Sequence, residues 1–281
     1  MKYEERLPPE FINTSKEHPL KELLVLLGAS LLILAAVLLV IHQSSSWLAR
    51  QIPLETEQRL FAGFPQDQAP GALHDYLNAR LQALLPYYDI PEGMQVTLSV
   101  TADDTINAFA TPGNHIILMK GLLQKLKHEN ALSMLLGHEL AHVAHRDPLV
   151  SIARGATISL LLALISSDGR LSALNGVTEL ALLGFSREME DSADAAALRA
   201  LGGVYGHTGG AKELFEILQD AGGSGIAQKI PAFLSTHPAL DERINLLAGR
   251  SRKAGYASKG KLTPLPAAFQ SWLNELAKPN D

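Results

Sequence analysis

The stretch that decides the fold is LLGHELAHVAHRDP, Leu135 to Pro148. In a helix of about 3.6 residues per turn, His138 and His142 stack one turn apart on the same face, so their imidazoles converge on a single ion. Glu139 is rotated by about 100° from His138, which sets its carboxylate beside the metal as a base for water rather than in the ligand set. The surrounding run, with Leu132, Met134, Leu135, Leu136, Leu140 and Val143, supports a helix that Pro148 ends. The motif is short, and a core helix carrying hydrogen-bonded histidines competes with it.

A zinc enzyme needs a third protein ligand and an open fourth position. His145 does not supply that ligand, because on the same rigid helix it sits too far along the axis to close the site. The metzincin pattern requires Gly and His where this chain has His145 and Pro148, so that class is excluded. The better candidate lies in GFSREMEDSADAAALRALG, Gly184 to Gly202, a helical alternation of acids with Ala and Leu stopped by Gly202 and Gly203. Glu190 and Asp194 are four apart and share a face. One can bind the metal while the other accepts a hydrogen bond from the free nitrogen of a ligating histidine. Taken alone, that helix also reads as a solvated acidic face.

Four blocks carry a resemblance. NAFATPGNHIILMKGLL (Asn107 to Leu123), GHELAHVAHRD (Gly137 to Asp147), SREMEDSAD (Ser186 to Asp194) and STHPALDERI (Ser235 to Ile244) occur in this order. Together they resemble the gluzincin metallopeptidases related to HtpX, the CAAX prenyl endopeptidases and BepA. The resemblance implies a strand and hairpin before the zinc helix, and an S-R-x-x-E-x-x-A-D element whose glutamate, Glu190, is the third ligand. It also implies an H-P-x-x-x-x-R element mapping onto His237, Pro238 and Arg243. One departure is Asp147, where relatives often have His; it leaves the ligands untouched and bears on the end of the zinc helix.

The expected chemistry is peptide-bond hydrolysis at one Zn²⁺ per chain, held by His138, His142 and Glu190, with Glu139 taking the proton of the water and passing it to the leaving amine. Asp194 is expected to orient a ligating histidine. His237 is either a donor to the tetrahedral oxyanion or a gating fourth ligand. Arg187 and Arg243 either brace the carboxylates or form ordinary surface salt bridges. Asn107, Ala108 and Phe109 are the candidates for pairing with extended substrate, by the resemblance and by the logic of strand addition; an ordinary structural hairpin is the alternative. A membrane-tethered chaperone or assembly factor with little turnover is the competing class. Glu139 argues against it, since a pure binding module has no need of a general base.

Composition bounds the rest. With 281 residues, 47% hydrophobic and 19% charged, the chain can bury a full core and spare a membrane segment. A net charge of −5 carries no basic field for nucleic acid. Cysteine is absent, which removes disulfides, thiolate ligands and a cysteine nucleophile and leaves the metal to His and Glu.

Leu23 to Ile41 carries no charge and is long enough to cross a bilayer. A cleavable signal is the rival, with small residues at Ser44 to Ser46. However, a long polar region precedes the apolar core, and that core exceeds the usual roughly 7 to 15 residues. Lys2, Arg6, Lys16 and Lys21 precede the span, while Arg50 is the only Lys or Arg between His42 and Thr56. That asymmetry predicts a cytoplasmic N-terminus. The organisation expected is a cytoplasmic segment at 1–22, a transmembrane anchor at 23–41 and a zinc metallopeptidase domain at 42–281. The location is a bacterial inner membrane, crossed once, with the catalytic domain periplasmic. The partners are protein or peptide substrates and, through 23–41, membrane lipid.

The rest reads as amphipathic helix from Trp47 to Gln82 broken by a loop at Ala62 to Gly71, a strand at Met94 to Val100, and a hairpin of TINAFA and HIILM about Thr111 to Asn114. Ile152 to Ile165 is apolar but interrupted by Arg154 and short for a span. It reads as a core or membrane-leaning helix, and Leu174 to Phe185 as at most a weak second span. Helices at Ala211 to Gly222, Ala239 to Arg250 and Pro266 to Lys278 complete an α+β, mainly helical chain. It has a zincin-like active-site helix, a small antiparallel sheet and one N-terminal transmembrane helix.

Overall fold

The structure, a computed structural model, describes residues 19–62, 71–155, 184–222, 237 and 240–276. By internal contacts the chain divides into Met1–Ser44 and Ser45–Asp281. The apolar stretch forms most of α1 (Pro19–Gln51), and Pro19–Val40 has a mean hydropathy of 3.1, long and apolar enough to cross a membrane. Leu24 and Leu32 are 70% and 73% exposed, as are most of their apolar neighbours to a similar degree.

Beyond it follow α2 (Leu54–Leu60), α3 (Gly71–Leu84) and a 3-10 turn at Leu85–Tyr87. Then come β1 (Thr97–Thr101), β2 (Ala108–Thr111), β3 (His115–Met119), α4 (Lys120–Leu123) and α5 (Glu129–His145). The remaining elements are α6 (Arg187–Tyr205), α7 (Ala211–Gly222), α8 (Leu240–Lys253) and α9 (Phe269–Glu275). The main core lies among α3, the inner face of the sheet, α5, α6 and α7, around Leu77, Leu81, Leu118, Leu132, Leu135 and Phe215.

The hairpin forms as expected, with Ala108 opposite Leu118 and Thr111 opposite His115 in antiparallel register. The small sheet is nevertheless mixed rather than purely antiparallel. Its order is β1-β3-β2, and β1 runs parallel to β3, with Thr97 opposite His115. The hairpin closes β2 onto one side of β3, so β1 takes the other side and β2 is left as an edge.

Two helix ends differ from expectation. Pro148 does not end α5: the helix stops at Arg146, which turns into the left-handed region at φ 58°, and residues 147–155 are helical again. Proline is tolerated in the first turn of a helix because its missing N–H has no partner there anyway. Likewise α6 runs through Gly202 and Gly203 to Tyr205 and is closed by Gly206 at φ 75°. The two internal glycines serve contact instead. A Cβ at Gly202 would meet the Tyr256 ring at 2.2 Å, and one at Gly203 the Tyr87 ring at 2.0 Å. The loop at Ala62 to Gly71 and the apolar stretches Ile152 to Ile165 and Leu174 to Phe185 lie wholly or largely outside the described residues.

Candidate metal centre

α5 is buried along almost its whole length and packs most extensively on α6. Small residues make that approach possible. Gly137 lies against Ala197, where a Cβ would come within 3.4 Å of the neighbouring backbone, and Ala141, Ala193 and Ala196 form one buried cluster. The Tyr88 hydroxyl donates to the Gly137 carbonyl at 2.7 Å, one residue before His138. At the other end, Tyr76, Arg80 and Tyr205 all donate to the Glu129 carboxylate, at 2.8, 2.8 and 2.9 Å, and fix the first turn. The rigid pair of helices then sets the side chains of one against those of the other.

His138, His142, Glu190 and His237 are all buried, and one donor atom from each lies within 4.8 Å of the others. His138 Nε2 and His142 Nε2 are 3.1 Å apart, and the Glu190 carboxylate oxygens lie 3.5 and 3.4 Å from them. The outer nitrogens of both histidines face carboxylates. His142 Nδ1 donates to Asp147 Oδ2 at 2.8 Å, and His138 Nδ1 lies 3.0 Å from Asp194 Oδ1. The two Nε2 lone pairs therefore face each other and a carboxylate, an arrangement that a cation between them satisfies. Tetrahedral zinc with bonds of about 2.0–2.1 Å separates its ligand atoms by about 3.3 Å, close to the three distances seen. The residues present fit the metal.

His237 Nδ1 donates to Glu190 Oε1 at 2.8 Å and sits 3.3 Å from His138 Nε2, while its Nε2 is 3.8 Å from Glu139 Oε1. Glu139 is completely buried, and neither carboxylate oxygen has a hydrogen-bond partner among the described residues. The Phe185 ring stacks on the His142 imidazole at 3.9 Å and 15°.

The surrounding charges are dense. Arg243 donates to both oxygens of Asp194, at 2.8 and 2.7 Å, and its Nη1 pairs with Glu190 Oε2. Arg250 adds a third contact to Asp194 at 3.0 Å. Burial alone raises the Asp194 carboxyl, but Arg243 overcomes it and holds the group at about 2. Burial lowers the His142 imidazole, and the Asp147 and Glu190 carboxylates outweigh it, lifting the group to about 10. His237, whose burial is only partly offset by the Glu190 and Glu139 carboxylates, stays below the ordinary histidine value.

Among the other sequence candidates, Arg243 reaches both carboxylates whereas Arg187 lies at the surface, 3.5 Å from Glu242. Asn107 and Ala108 are buried and Phe109 is half-buried, at the start of the edge strand β2, which packs on α5. Asp147 and Arg250 are the contacts that sequence reasoning missed. The i, i+5 spacing of His142 and Asp147 puts them on different faces of a continuous helix, and only the left-handed turn at Arg146 brings them together.

A buried helix carrying paired histidines, crossed by a second helix that brings a carboxylate to the same point, defines a metallopeptidase of the zincin kind. The chain belongs to peptidase family M48, whose model matches residues 72–251. It is 36% identical over 151 residues to the mitochondrial metalloendopeptidase OMA1 of Schizosaccharomyces pombe, covering 52% of this chain and 44% of that protein. It is 27% identical over 157 residues to the beta-barrel assembly-enhancing protease of Escherichia coli, covering 50% and 31%. To the protease HtpX homolog of Desulforapulum autotrophicum it is 29% identical over 142 residues, covering 50% and 42%. Each match spans less than half of the relative's own length.

Proposed function

We propose that this chain is a membrane-anchored zinc-dependent endopeptidase that hydrolyses protein substrates at the periplasmic face of a bacterial inner membrane, in envelope protein quality control. The observation that carries the reading is the convergence of two imidazole nitrogens and the Glu190 carboxylate beside a buried Glu139 whose oxygens accept no hydrogen bond from the described residues. His138, His142 and Glu190 would hold the zinc, which when bound polarises the scissile carbonyl and acidifies water toward neutrality.

The rest falls to the protein's own groups. Asp147 holds the Nδ1 proton of His142, and Asp194 sets a carboxylate against Nδ1 of His138, an arrangement that turns both Nε2 lone pairs inward. Arg243 keeps Asp194 ionised and holds both Asp194 and Glu190 in place. Glu139, with no competing hydrogen bond among the described residues, accepts a proton from water and returns it to the departing amine. His237 stands among the donor atoms, which favours a fourth-ligand role at rest over donation to an oxyanion. β2, at the edge of the sheet among the described residues, suits an extended substrate strand lying across the site.

Membrane anchoring rests on Pro19–Val40, and orientation on Lys2, Arg6, Lys16 and Lys21 before it. A role in the envelope draws on the relative named for beta-barrel assembly. The test is metal content. Purified protein should carry about one zinc per chain, and Glu190→Ala should lose most of it. Full zinc in Glu190→Ala would remove that residue from the ligand set, and a zinc-loaded protein that binds unfolded chains without cutting them would leave the tethered chaperone as the better reading.

A further inference from the structure

Among the described residues, Arg146 is one of two other than glycine with positive φ, at 58°. L side chains avoid that left-handed region, so something must hold Arg146 in it. The holder is Glu57 on α2, itself 2% exposed. Arg146 Nε donates to Glu57 Oε2 at 2.8 Å, and Nη2 pairs with the same oxygen at 2.6 Å and donates to the Ile52 carbonyl at 2.8 Å. The other Glu57 oxygen accepts the Gly113 N–H at 3.0 Å, in the β2–β3 turn. One buried carboxylate thus ties together α2, the end of the histidine helix and the hairpin. Beside it, Ala49, Leu149 and Val150 pack with Ile52, Phe61 and Met189.

We propose that Glu57 is a positioning residue for the metal site. By clamping Arg146 in the left-handed conformation it turns the chain so that Asp147 folds back over His142. Without that turn the spacing of His142 and Asp147 cannot close to 2.8 Å. The inference rests on the reading of His142 as a metal ligand. It makes the segment following α1 a determinant of metal affinity, although none of its residues belongs to the donor set.

The test uses the full-length chain in detergent, with zinc alone as the probe in a chelator competition, and with thermal unfolding and steady-state kinetics alongside. Glu57→Gln keeps an acceptor for Gly113 but loses the charge that grips Arg146. It should weaken zinc binding about tenfold, the low end of the effect of losing a carboxylate behind a metal-binding histidine, and at limiting zinc it should lower kcat while KM stays unchanged. Glu57→Gln combined with Arg146→Gly should recover zinc affinity to within about threefold of wild type, because glycine occupies the left-handed region unaided. A lowered Tm with unchanged zinc affinity in Glu57→Gln, or a double variant as defective as the single one, would overturn the proposal. His142→Ala separates the two levels: if it loses zinc while Glu57→Gln does not, only the role of Glu57 fails, whereas unchanged zinc in His142→Ala removes the site reading itself.

Discussion

His142 Nδ1 donates to Asp147 Oδ2 across 2.8 Å although five residues separate them, and both groups are buried. In an unbroken helix those positions diverge by about 140°, so the contact exists because α5 ends between them. Asp147→Asn keeps the size and removes the charge. It should lower zinc affinity about 10- to 100-fold, the usual effect of losing a carboxylate behind a metal-binding histidine. Chelator competition at pH 7 measures it, and an unchanged constant would mean that His142 is oriented by packing on Phe185 alone.

Arg243 and Arg187 should separate cleanly. Arg243 is 2% exposed and is the one guanidinium among the described residues that pairs with both buried carboxylates, so Arg243→Leu removes their shared counter-charge and should destabilise the fold by about 3–5 kcal/mol. Arg187 is largely exposed, and Arg187→Ala should fall within about 0.5 kcal/mol of wild type. Urea unfolding of the two variants checks this. Equal effects would contradict the placement of Arg243 behind the site.

Three tyrosines should resist ionisation in the native state. Burial, with the Glu129 carboxylate beside Tyr76 and Tyr205, raises Tyr76, Tyr88 and Tyr205 above the ordinary phenol value, Tyr205 to about 12. Because the folded value is raised, the stability these groups lend is fully present below about pH 10, the unfolded value, and is lost as pH rises toward 12. At pH 11 the native phenolate absorbance should therefore fall short of the unfolded protein's by roughly two to three groups. Equal absorbance would place these rings in water.

Topology is testable in spheroplasts with an intact inner membrane. Added protease should digest the region after Arg50 while a tag placed before Lys16 stays protected, because cationic flanks are retained in the cytoplasm. Protection of residues 71–155 until lysis would reverse the orientation.

Much of the site was legible because it obeys helical period. His138 and His142 one turn apart, and Glu190 and Asp194 one turn apart, specify two faces that have to meet, and Gly137, Ala141, Ala193 and Ala197 mark where they touch. The hairpin was legible from its turn residues, Gly113 at φ 83° and Asn114 at φ 71°. The illegible parts arise where tertiary contact overrides local preference. Arg146 adopts a glycine-like conformation because Glu57 holds it, and no window around Arg146 contains Glu57. Gly202 and Gly203 look like a helix stop, yet they make room for two tyrosine rings. Arg250 reaches Asp194 from another helix at a spacing that carries no local signal.

Glu139 is the group on which turnover depends most directly. Zinc content and hydrolysis of an unfolded protein substrate should be measured side by side for wild type and Glu139→Gln, with the fold checked by thermal unfolding. The account predicts an unchanged zinc content of about one per chain and a kcat lower by about 10²- to 10⁴-fold, since only the proton acceptor is lost. Wild-type turnover in the zinc-loaded variant would contradict it, because water would then be activated by another group.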